Sequence, residues 1–306
     1  MTAVVSVVVP VYNSERTLAD CLRGLEQQDL PKSDYEVIVV CDGSKDSSAT
    51  IARRSNVRLL DGGKRSGAPS ARNRGLKAAT GQWVAFTDAD CIPSRGWLRW
   101  LLGAVHNHYT NELPLGAAGK TLGIQSNTSA ARFVDLAGDF DAEYHLKHPQ
   151  FPFAPTANVM YLREALETIG GFDERYYAYD ACDLHYRLRK TFRGPFYLEP
   201  RGVVFHRHRK NWMEYCKQQF VHGQGFGQFF LNHPEQTGWS LCLELTAWKS
   251  LGELGLRACW AGSDHSIMRR GEFLKGLAIR LGYMTTYWNP IERRRWSRTS
   301  HVDEHR

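Results

Sequence analysis

No stretch of this 306-residue chain holds about 18 uninterrupted apolar residues, so no membrane-crossing helix is expected. The amino terminus lacks a basic start followed by a long apolar run. Val4–Val11 is of strand length and ends in Pro10, Val11, Tyr12 and Asn13, so a secretory leader is not expected either. Cysteine is sparse, at seven scattered residues with no paired, metal-type spacing. That argues against a disulfide framework and a structural zinc site, and for reduced thiols in a cytosolic compartment. Two phosphate-binding signatures are also missing. The first apolar run is not followed by the glycine fingerprint of dinucleotide-binding folds, and no Gly-Lys-Ser/Thr loop occurs anywhere. A dinucleotide cofactor and phosphoryl transfer by a phosphate loop are thereby disfavoured. Internal repeats and low-complexity tracts are absent.

What is present is an ordinary globular composition, 42% hydrophobic and 23% charged, enough for a sizeable core in one large domain or one and a half. The formal charge of +7 suits an anionic ligand or an anionic membrane surface, and part of it sits at Arg293, Arg294, Arg295 and Arg298. No nucleic-acid-binding motif accompanies it, and no nucleic-acid partner is expected.

Short β-branched runs alternate with helical patterns through the first third. Val4–Val9 reads as a strand, and Leu18, Cys21, Leu22 and Leu25 fall at helical spacing after it, with Ser14 as the cap. Val37–Val40, Val57–Leu60 and Trp83–Thr87 read as further strands, separated by helices over Ser47–Arg54 and Ala68–Ala79. The alternation predicts an α/β fold with a Rossmann-like, mostly parallel central sheet, helices on both faces, and ligands at the carboxyl ends of the strands. Beyond a helix at Trp97–Val105 a boundary near residue 112 is expected. Leu115–Gln125 then holds a strand, Ser129–Tyr144 a helix, Phe151–Pro155 a loop, Asn158–Leu162 a strand and Arg163–Ile169 a helix. Asp180–Thr191 is helical, and Phe196–Leu198 and Gly202–Phe205 are two strands. From Trp212 the pattern is helical, and Ile291–Arg306 is expected to be disordered. The segments are therefore read as 1–111, 112–210, a helical carboxyl-terminal region 211–290, and a tail 291–306.

Polar residues collect where the strands end. Asp88 and Asp90 follow the buried run Trp83–Thr87, and strand alternation would put both on one side, close enough to share a divalent cation. Asp42, in Asp42-Gly43-Ser44, follows the second strand, where a carboxylate can accept from a nucleobase N–H or a ribose hydroxyl. An ordinary turn has the same composition. The run Ser70-Ala71-Arg72-Asn73-Arg74-Gly75 opens a helix, and its basic and amide side chains suit either a diphosphate or a solvated face.

Taken in order, these residues carry a resemblance. Ser6–Asn13, Cys41-Asp42-Gly43-Ser44, Ala71-Arg72-Asn73-Arg74-Gly75, Thr87-Asp88-Ala89-Asp90 and Gly170-Gly171-Phe172-Asp173-Glu174 resemble the ordered signature of the family 2 glycosyltransferases with the GT-A fold. The resemblance covers about residues 4–210. It implies an inverting transfer from a nucleotide diphosphate sugar, most simply a UDP-sugar, to a hydroxyl of a saccharide, lipid-linked or other acceptor, in cell-envelope or polysaccharide synthesis. By the same resemblance Pro10, Val11, Tyr12, Asn13 and Asp42 line the nucleoside pocket and Arg72 approaches it. Asp88 and Ala89 face ribose or donor sugar, and Asp90 ligates Mg²⁺ or Mn²⁺ with Asp88 beside it. Cys41 stands where the family usually carries another Asp.

The resemblance also implies a carboxylate base in the segment Tyr179-Asp180-Ala181-Cys182-Asp183-Leu184-His185-Tyr186-Arg187. Anchoring on Leu184 and Arg187 puts Ala181 in the usual position of that base, so either Asp180 or Asp183 serves, Asp183 being preferred because it leaves the helix unaltered. A histidine after the last strand is a common third metal ligand in the fold. His206, which ends that strand, is the better candidate than His208. Gln218–Gly225 lacks the Arg-Trp pair of processive relatives, so processive polymerisation is disfavoured. Trp239–Tyr287, rich in Trp and Leu, fits helices packed on the catalytic part or a peripheral contact with the inner face of the plasma membrane. Because of Cys41 and Ala181, a catalytically degenerate relative that only binds nucleotide sugar or carbohydrate stands as the alternative.

Overall fold

The computed structural model describes residues 3–106, 112–124, 126–148, 151–236, 248–249, 251–253 and 264–297. The chain divides into two compact units. The first comprises Met1–Ile124, Gly138–Glu174 and Ala181–Arg207; the second comprises Gln125–Ala137, Arg175–Asp180 and His208–Arg306.

The first unit is built on one eight-stranded sheet. Its strands are β1 (Val5–Val11), β2 (Tyr35–Cys41), β3 (Arg58–Leu60), β4 (Trp83–Phe86), β5 (Cys91–Pro93), β6 (Gly116–Gly123), β7 (Val159–Leu162) and β8 (Phe196–His206). Their order across the sheet is β3-β2-β1-β4-β7-β6-β8-β5. β1 is flanked on both sides, by β2 and by β4, in parallel register, and its buried positions are apolar except Ser6, whose hydroxyl donates to Glu36 at 2.6 Å. Pro10 is tolerated within it for a local reason. The pairing with β4 ends at Val8↔Phe86, so at Pro10 only the β2 side is bonded and the missing N–H breaks no ladder there.

Helices α1 (Leu18–Glu26), α2 (Ser48–Arg53), α3 (Ala68–Ala78) and α4 (Trp97–His106) follow the alternation read from the sequence. Where α3 crosses β1 the approach is very close: a Cβ on Gly75 would lie 2.3 Å from the Val8 Cγ1 atom, so only glycine lets this helix sit down. The cap expected at Ser14 is displaced. Thr17 precedes α1, and Ser14 contributes its backbone carbonyl, accepting from the N–H groups of Thr17 and Leu18.

Beyond β4 the sheet departs from the parallel pattern. β7 runs antiparallel to both β4 and β6, and β5 antiparallel to β8, while β6 and β8 are parallel. An antiparallel neighbour needs no crossover helix, so the strand–helix alternation that announced the first four strands carries no information about these. The two strands expected at Phe196–Leu198 and Gly202–Phe205 are one. β8 runs on through an irregularity where its partner advances only from Gly119 to Thr121 while β8 advances from Glu199 to Val204. Asn158 holds that irregularity. Its amide donates to the carbonyls of Lys120 (3.0 Å) and Gly202 (2.8 Å), and its oxygen accepts from the Trp97 indole at 2.7 Å. The helix expected over Ser129–Tyr144 is broken at Gly138, whose φ is +65°, into α5 (Ser129–Ala137) and α6 (Ala142–Leu146).

The turn Gly170–Glu174 follows α7 (Arg163–Thr168) and is clamped to α3 by one side chain. Asn73 donates to the Phe172 carbonyl (2.8 Å) and to Glu174 (2.9 Å), and accepts from the Phe172 N–H (2.8 Å). Gly171, at φ +70°, lets the turn approach. A Cβ there would stand 2.5 Å from the Asn73 oxygen.

In the second unit α9 (Trp212–Asn232) packs along α10 (Asp264–Tyr287) through glycines. Gly223 leaves room for the Ile279 carbonyl and Gly282 for that of Phe220, so the two backbones lie nearly in contact. Phe226, Phe230 and Tyr283 fill the seam. The stretch from Ile291, expected to be disordered, begins as a helix, α11 (Pro290–Ser297). Trp296 is buried against Tyr176 and under the Arg175 guanidinium, an aromatic anchor that outweighs the polar composition around it. Among the described residues no helix is long and apolar enough to cross a membrane.

Two predictions follow from this packing. Replacing Asn73 with Ala removes three hydrogen bonds at the helix–turn junction and should destabilise the protein by about 2–3 kcal/mol in urea titration. His185, on α8 (Asp180–Thr191), is buried against Phe196, and that burial, aided by Arg189, pushes its imidazole down to about 3 from 6.5. The unfolded chain takes up that proton near 6.5 and the folded chain does not, so stability should fall as pH drops from 6.5 toward 3. In His185→Gln that part of the pH–stability profile should flatten.

Candidate functional site

Parallel pairing brings the carboxyl ends of β1, β2 and β4 to one edge, and the loops that leave them carry most of the residues singled out above. Pro10 and Val11 end β1, and Tyr12 and Asn13 leave it. Val11 is buried, and Tyr12 is 38% exposed with the Arg65 guanidinium 4.1 Å over its ring. Asn13 adopts a left-handed φ of +50°, which its short amide tolerates. From there it locks this loop to the one leaving β2: its N–H donates to the Ser44 hydroxyl (3.1 Å) and its side-chain oxygen accepts from the Lys45 N–H (2.9 Å).

Asp42 is buried at the end of β2, and both of its oxygens are already engaged. They accept from the Ser66 N–H (2.9 and 3.1 Å), the Ser66 hydroxyl (2.7 Å) and the Gly67 N–H (2.8 Å). Its evident work is to fasten the loop that precedes α3. That loop contains Gly62, Gly63 and Gly67, all at positive φ, and Arg65, so Asp42 positions Arg65 over Tyr12.

Asp88 and Asp90 do not sit on the strand. β4 ends at Phe86, and Asp88–Asp90 form a tight turn closed by the Cys91 N–H donating to the Asp88 carbonyl at 3.0 Å, so the two carboxylates diverge in partner. Asp88 accepts from Arg72 of α3 at 3.1 Å, and Arg72 is itself buried with its guanidinium 5.7 Å from the Phe172 ring centre. Ala89, between them, is buried. Asp90 instead meets His206, with 3.5 Å between carboxylate oxygen and Nε2. The Phe140 ring lies over that imidazole, the centroids 4.2 Å apart. The backbone continues the join, the Arg207 N–H donating to the Asp90 carbonyl at 3.0 Å while the Arg207 guanidinium reaches Asp20 at 2.6 Å.

Cys91 joins Asp90 and His206 to make a group of three potential donors. Asp88 is not part of that group. Two buried thiols flank the turn, since Cys21 donates to the Asp88 carbonyl at 3.6 Å, and burial, reinforced by Asp88 and Asp90, pushes both Cys21 and Cys91 well up. An oxygen and a nitrogen donor from two separate strand ends, with positions left over, fit a hard divalent cation that takes its remaining ligands from water and phosphate. His208, the other histidine of this stretch, is engaged in the second unit, where its Nε2 lies 2.9 Å from Asp135.

Of the two carboxylates at the start of α8, Asp183 has no exposed surface. Its Oδ2 accepts from Arg187 at 2.8 Å, and Arg187 also donates to the carbonyls of Ile169 and Gly171, both at 2.8 Å. Asp183 thus anchors the glycine turn through Arg187. Asp180 is the first residue of α8, and Ala181 beside it is buried.

The sequence singles out Asp42, Arg72, Asp88, Asp90 and His206, but not the partners that hold them. The sequence groups Asn73 with a run that suits either a diphosphate or a solvated face, whereas its amide is spent on the Gly171–Phe172 turn. Ser66, Arg65 and Cys91 carried no signal at all, because their roles depend on contacts between segments far apart in the chain.

Residues 6–170, more than half of the chain, match the profile of glycosyl transferase family 2. The pre-mycofactocin glycosyltransferase of Mycobacterium tuberculosis is 30% identical over 244 residues, which are 76% of this chain and 49% of that protein. The chain therefore spans about half the length of this relative. Among solved structures, the mannosyltransferase PcManGT of Pyrobaculum calidifontis, in complex with GDP-Man and Mn²⁺, matches with a TM-score of 0.66 at 19% identity, over 95% of this chain and 88% of that one. Residues 1–349 of S. aureus TarS, in complex with UDP-GlcNAc, match with a TM-score of 0.56 at 18% identity, over 94% and 91%. These likenesses show a shared GT-A fold. With the parallel strands, the Asp88–Asp90 turn and the Gly170–Glu174 turn all in place, the profile match is decisive: the chain belongs to glycosyl transferase family 2.

Proposed function

We propose that this protein is a metal-assisted glycosyltransferase that moves a sugar, with inversion, from a nucleotide diphosphate sugar to an acceptor hydroxyl. The observation that carries this reading is the meeting of Asp90 and His206, 116 positions apart in the sequence, beside the Arg72–Asp88 pair at the carboxyl edge of the sheet. A carboxylate–imidazole pair next to a buried arginine suits a cation and the diphosphate it neutralises. Two proteins of the same fold support a nucleotide-sugar donor, one holding GDP-Man with Mn²⁺ and the other UDP-GlcNAc. A UDP-sugar remains our first choice, and the two neighbours make a GDP-sugar the necessary comparison.

The roles divide as follows. Tyr12 and the interlocked loops at Asn13 and Asp42 receive the nucleoside, with Arg65 moving off the Tyr12 ring or bracing what stacks there. Arg72 holds Asp88 toward ribose or sugar and adds positive charge where the leaving diphosphate develops negative charge. Asp90 and His206 would hold Mg²⁺ or Mn²⁺, which would supply Lewis-acid stabilisation of that leaving group. A carboxylate at the start of α8 takes the proton of the attacking hydroxyl. Asp183 has no exposed surface and its Oδ2 accepts from Arg187, so we assign this step to Asp180, itself buried at 8% exposure, with Asp183 as the residue that positions the turn. The acceptor is a saccharide or lipid-linked hydroxyl in envelope or polysaccharide synthesis, and the enzyme works on the cytoplasmic side. There Trp288 and Ile291, exposed near Arg293–Arg295, offer a peripheral contact with the membrane. A binding-only relative is the second reading, favoured by the buried Ala181 at the usual place of the base.

Three outcomes check this. Asp90→Ala and His206→Ala should each weaken Mn²⁺-dependent binding of UDP- and GDP-sugars by about tenfold or more in calorimetry, as loss of a ligand must cost at least what loss of a ligand's support does. Undiminished binding in both would overturn the metal assignment. Asp180→Asn should lower kcat by about 10²–10⁴ with donor affinity nearly unchanged. Asp183→Asn should instead cost about 2–3 kcal/mol of stability by leaving Arg187 without its carboxylate. Full turnover in Asp180→Asn would move the base elsewhere, and nucleotide-sugar binding without turnover on any acceptor would leave the binding-only reading.

A further inference from the structure

The group at the β5–β8 pairing is not an ordinary set for a hard cation. Asp90, Cys91 and His206 offer an oxygen, a sulfur and a nitrogen, all within 4.8 Å of one another. Among the described residues no other three His, Cys, Asp or Glu side chains converge in this way. The convergence is built by the sheet, since the antiparallel register sets Cys91 directly opposite His206 and Asp90 is the residue before it. Two ligands on one tetrahedral ion, with bonds of about 2.0–2.3 Å, stand about 3.3–3.8 Å apart. The Asp90–His206 separation of 3.5 Å already lies in that range. The sulfur has at most about 1.5 Å to close, within the reach of side-chain rotation. Cys91 is fully buried, but Asp90 is partly exposed and leaves an approach from solvent.

Magnesium and manganese prefer oxygen donors, whereas thiolate selects zinc and its chemical relatives. We propose that Cys91 supplies a sulfur ligand, so that Asp90, Cys91 and His206 form a site for a thiophilic divalent cation, Zn²⁺ in kind, that competes with Mg²⁺ or Mn²⁺ for the same two neighbours. On binding, a metal–sulfur bond forms as the S–H bond breaks. The thiol proton passes to solvent, and nothing is oxidised or reduced. This rests on the metal reading of Asp90 and His206 and adds to it a donor that gives the reaction's cation a rival.

Cobalt(II) is the direct probe, because a thiolate ligand gives a charge-transfer band in the near ultraviolet that oxygen and nitrogen ligands do not. Titrating the full chain with Co²⁺ should raise that band, and Zn²⁺ should bleach it. Cys91→Ser and Cys91→Ala, checked for folding by circular dichroism, should lack the band and bind Zn²⁺ at least about tenfold more weakly, while Mn²⁺ affinity changes by no more than about threefold. Should the Cys91 variants fail to fold, loss of the band in Asp90→Ala and His206→Ala locates it. Cobalt bound without the band, or equal Zn²⁺ affinity with and without the thiol, overturns the proposal and leaves Cys91 as a packing residue. Mn²⁺ binding in that case leaves the metal reading intact. Failure of Co²⁺, Zn²⁺ and Mn²⁺ alike to bind removes both.

Discussion

Parallel hydrogen bonding among β2, β1 and β4 is the constraint from which the site follows, because strands that run the same way must deliver their carboxyl ends to the same edge. β1 lies between the other two, so its register sets where each of the three loops emerges. Tyr12, Asp42 and Asp88 come to one edge for that reason and for no local one. Covering this part of the sheet needs close helix contact, and Gly75 supplies it by letting α3 rest on Val8. The same seating puts Arg72, three residues earlier on α3, within 3.1 Å of Asp88.

Around that edge, buried polar side chains do the holding. A polar group taken out of water is costly unless its hydrogen bonds are remade, so a side chain that must satisfy several partners fixes several segments at once. Asn158 joins β6, the irregular part of β8 and α4; Asn73 joins α3 to the glycine turn; Asp42 joins β2 to the loop before α3. Asp183 and Arg187 do the same for α8 and that turn. Asp42, Asn73 and Asp183 are thus engaged in holding the shape around the candidate site.

The corner where Asp90, Cys91 and His206 meet depends on a different pairing. β5 is three residues long and meets β8 antiparallel at the far edge of the sheet, and this short ladder alone sets His206 opposite Cys91 and beside Asp90. A strand so short contributes little stability of its own. Its position is secured by the Asp88–Cys91 turn on one side and by the Arg207 contacts to the Asp90 carbonyl and Asp20 on the other. The residue this ladder sets opposite His206 is Cys91.

By itself the sequence determined the α/β class, the first four strands and their helices, the parallel half of the sheet, and the identity of Asp42, Arg72, Asp88, Asp90 and His206 as residues to watch. Those features are local: a β-branched run buried on both faces, a helical repeat, or a carboxylate at a strand end is written in neighbouring residues. Only the tertiary structure decided that β7 and β5 run antiparallel, that β8 is one strand, and that Pro290–Ser297 is a helix anchored by Trp296. It also decided that Asp88 and Asp90 take different partners, that Asp42 and Asp183 are buried and engaged, and that Cys91 faces His206. Each of these depends on which segments pair across gaps of tens to more than a hundred residues. Hydrogen-bond satisfaction of the assembled whole makes that choice, and no stretch of sequence carries it alone.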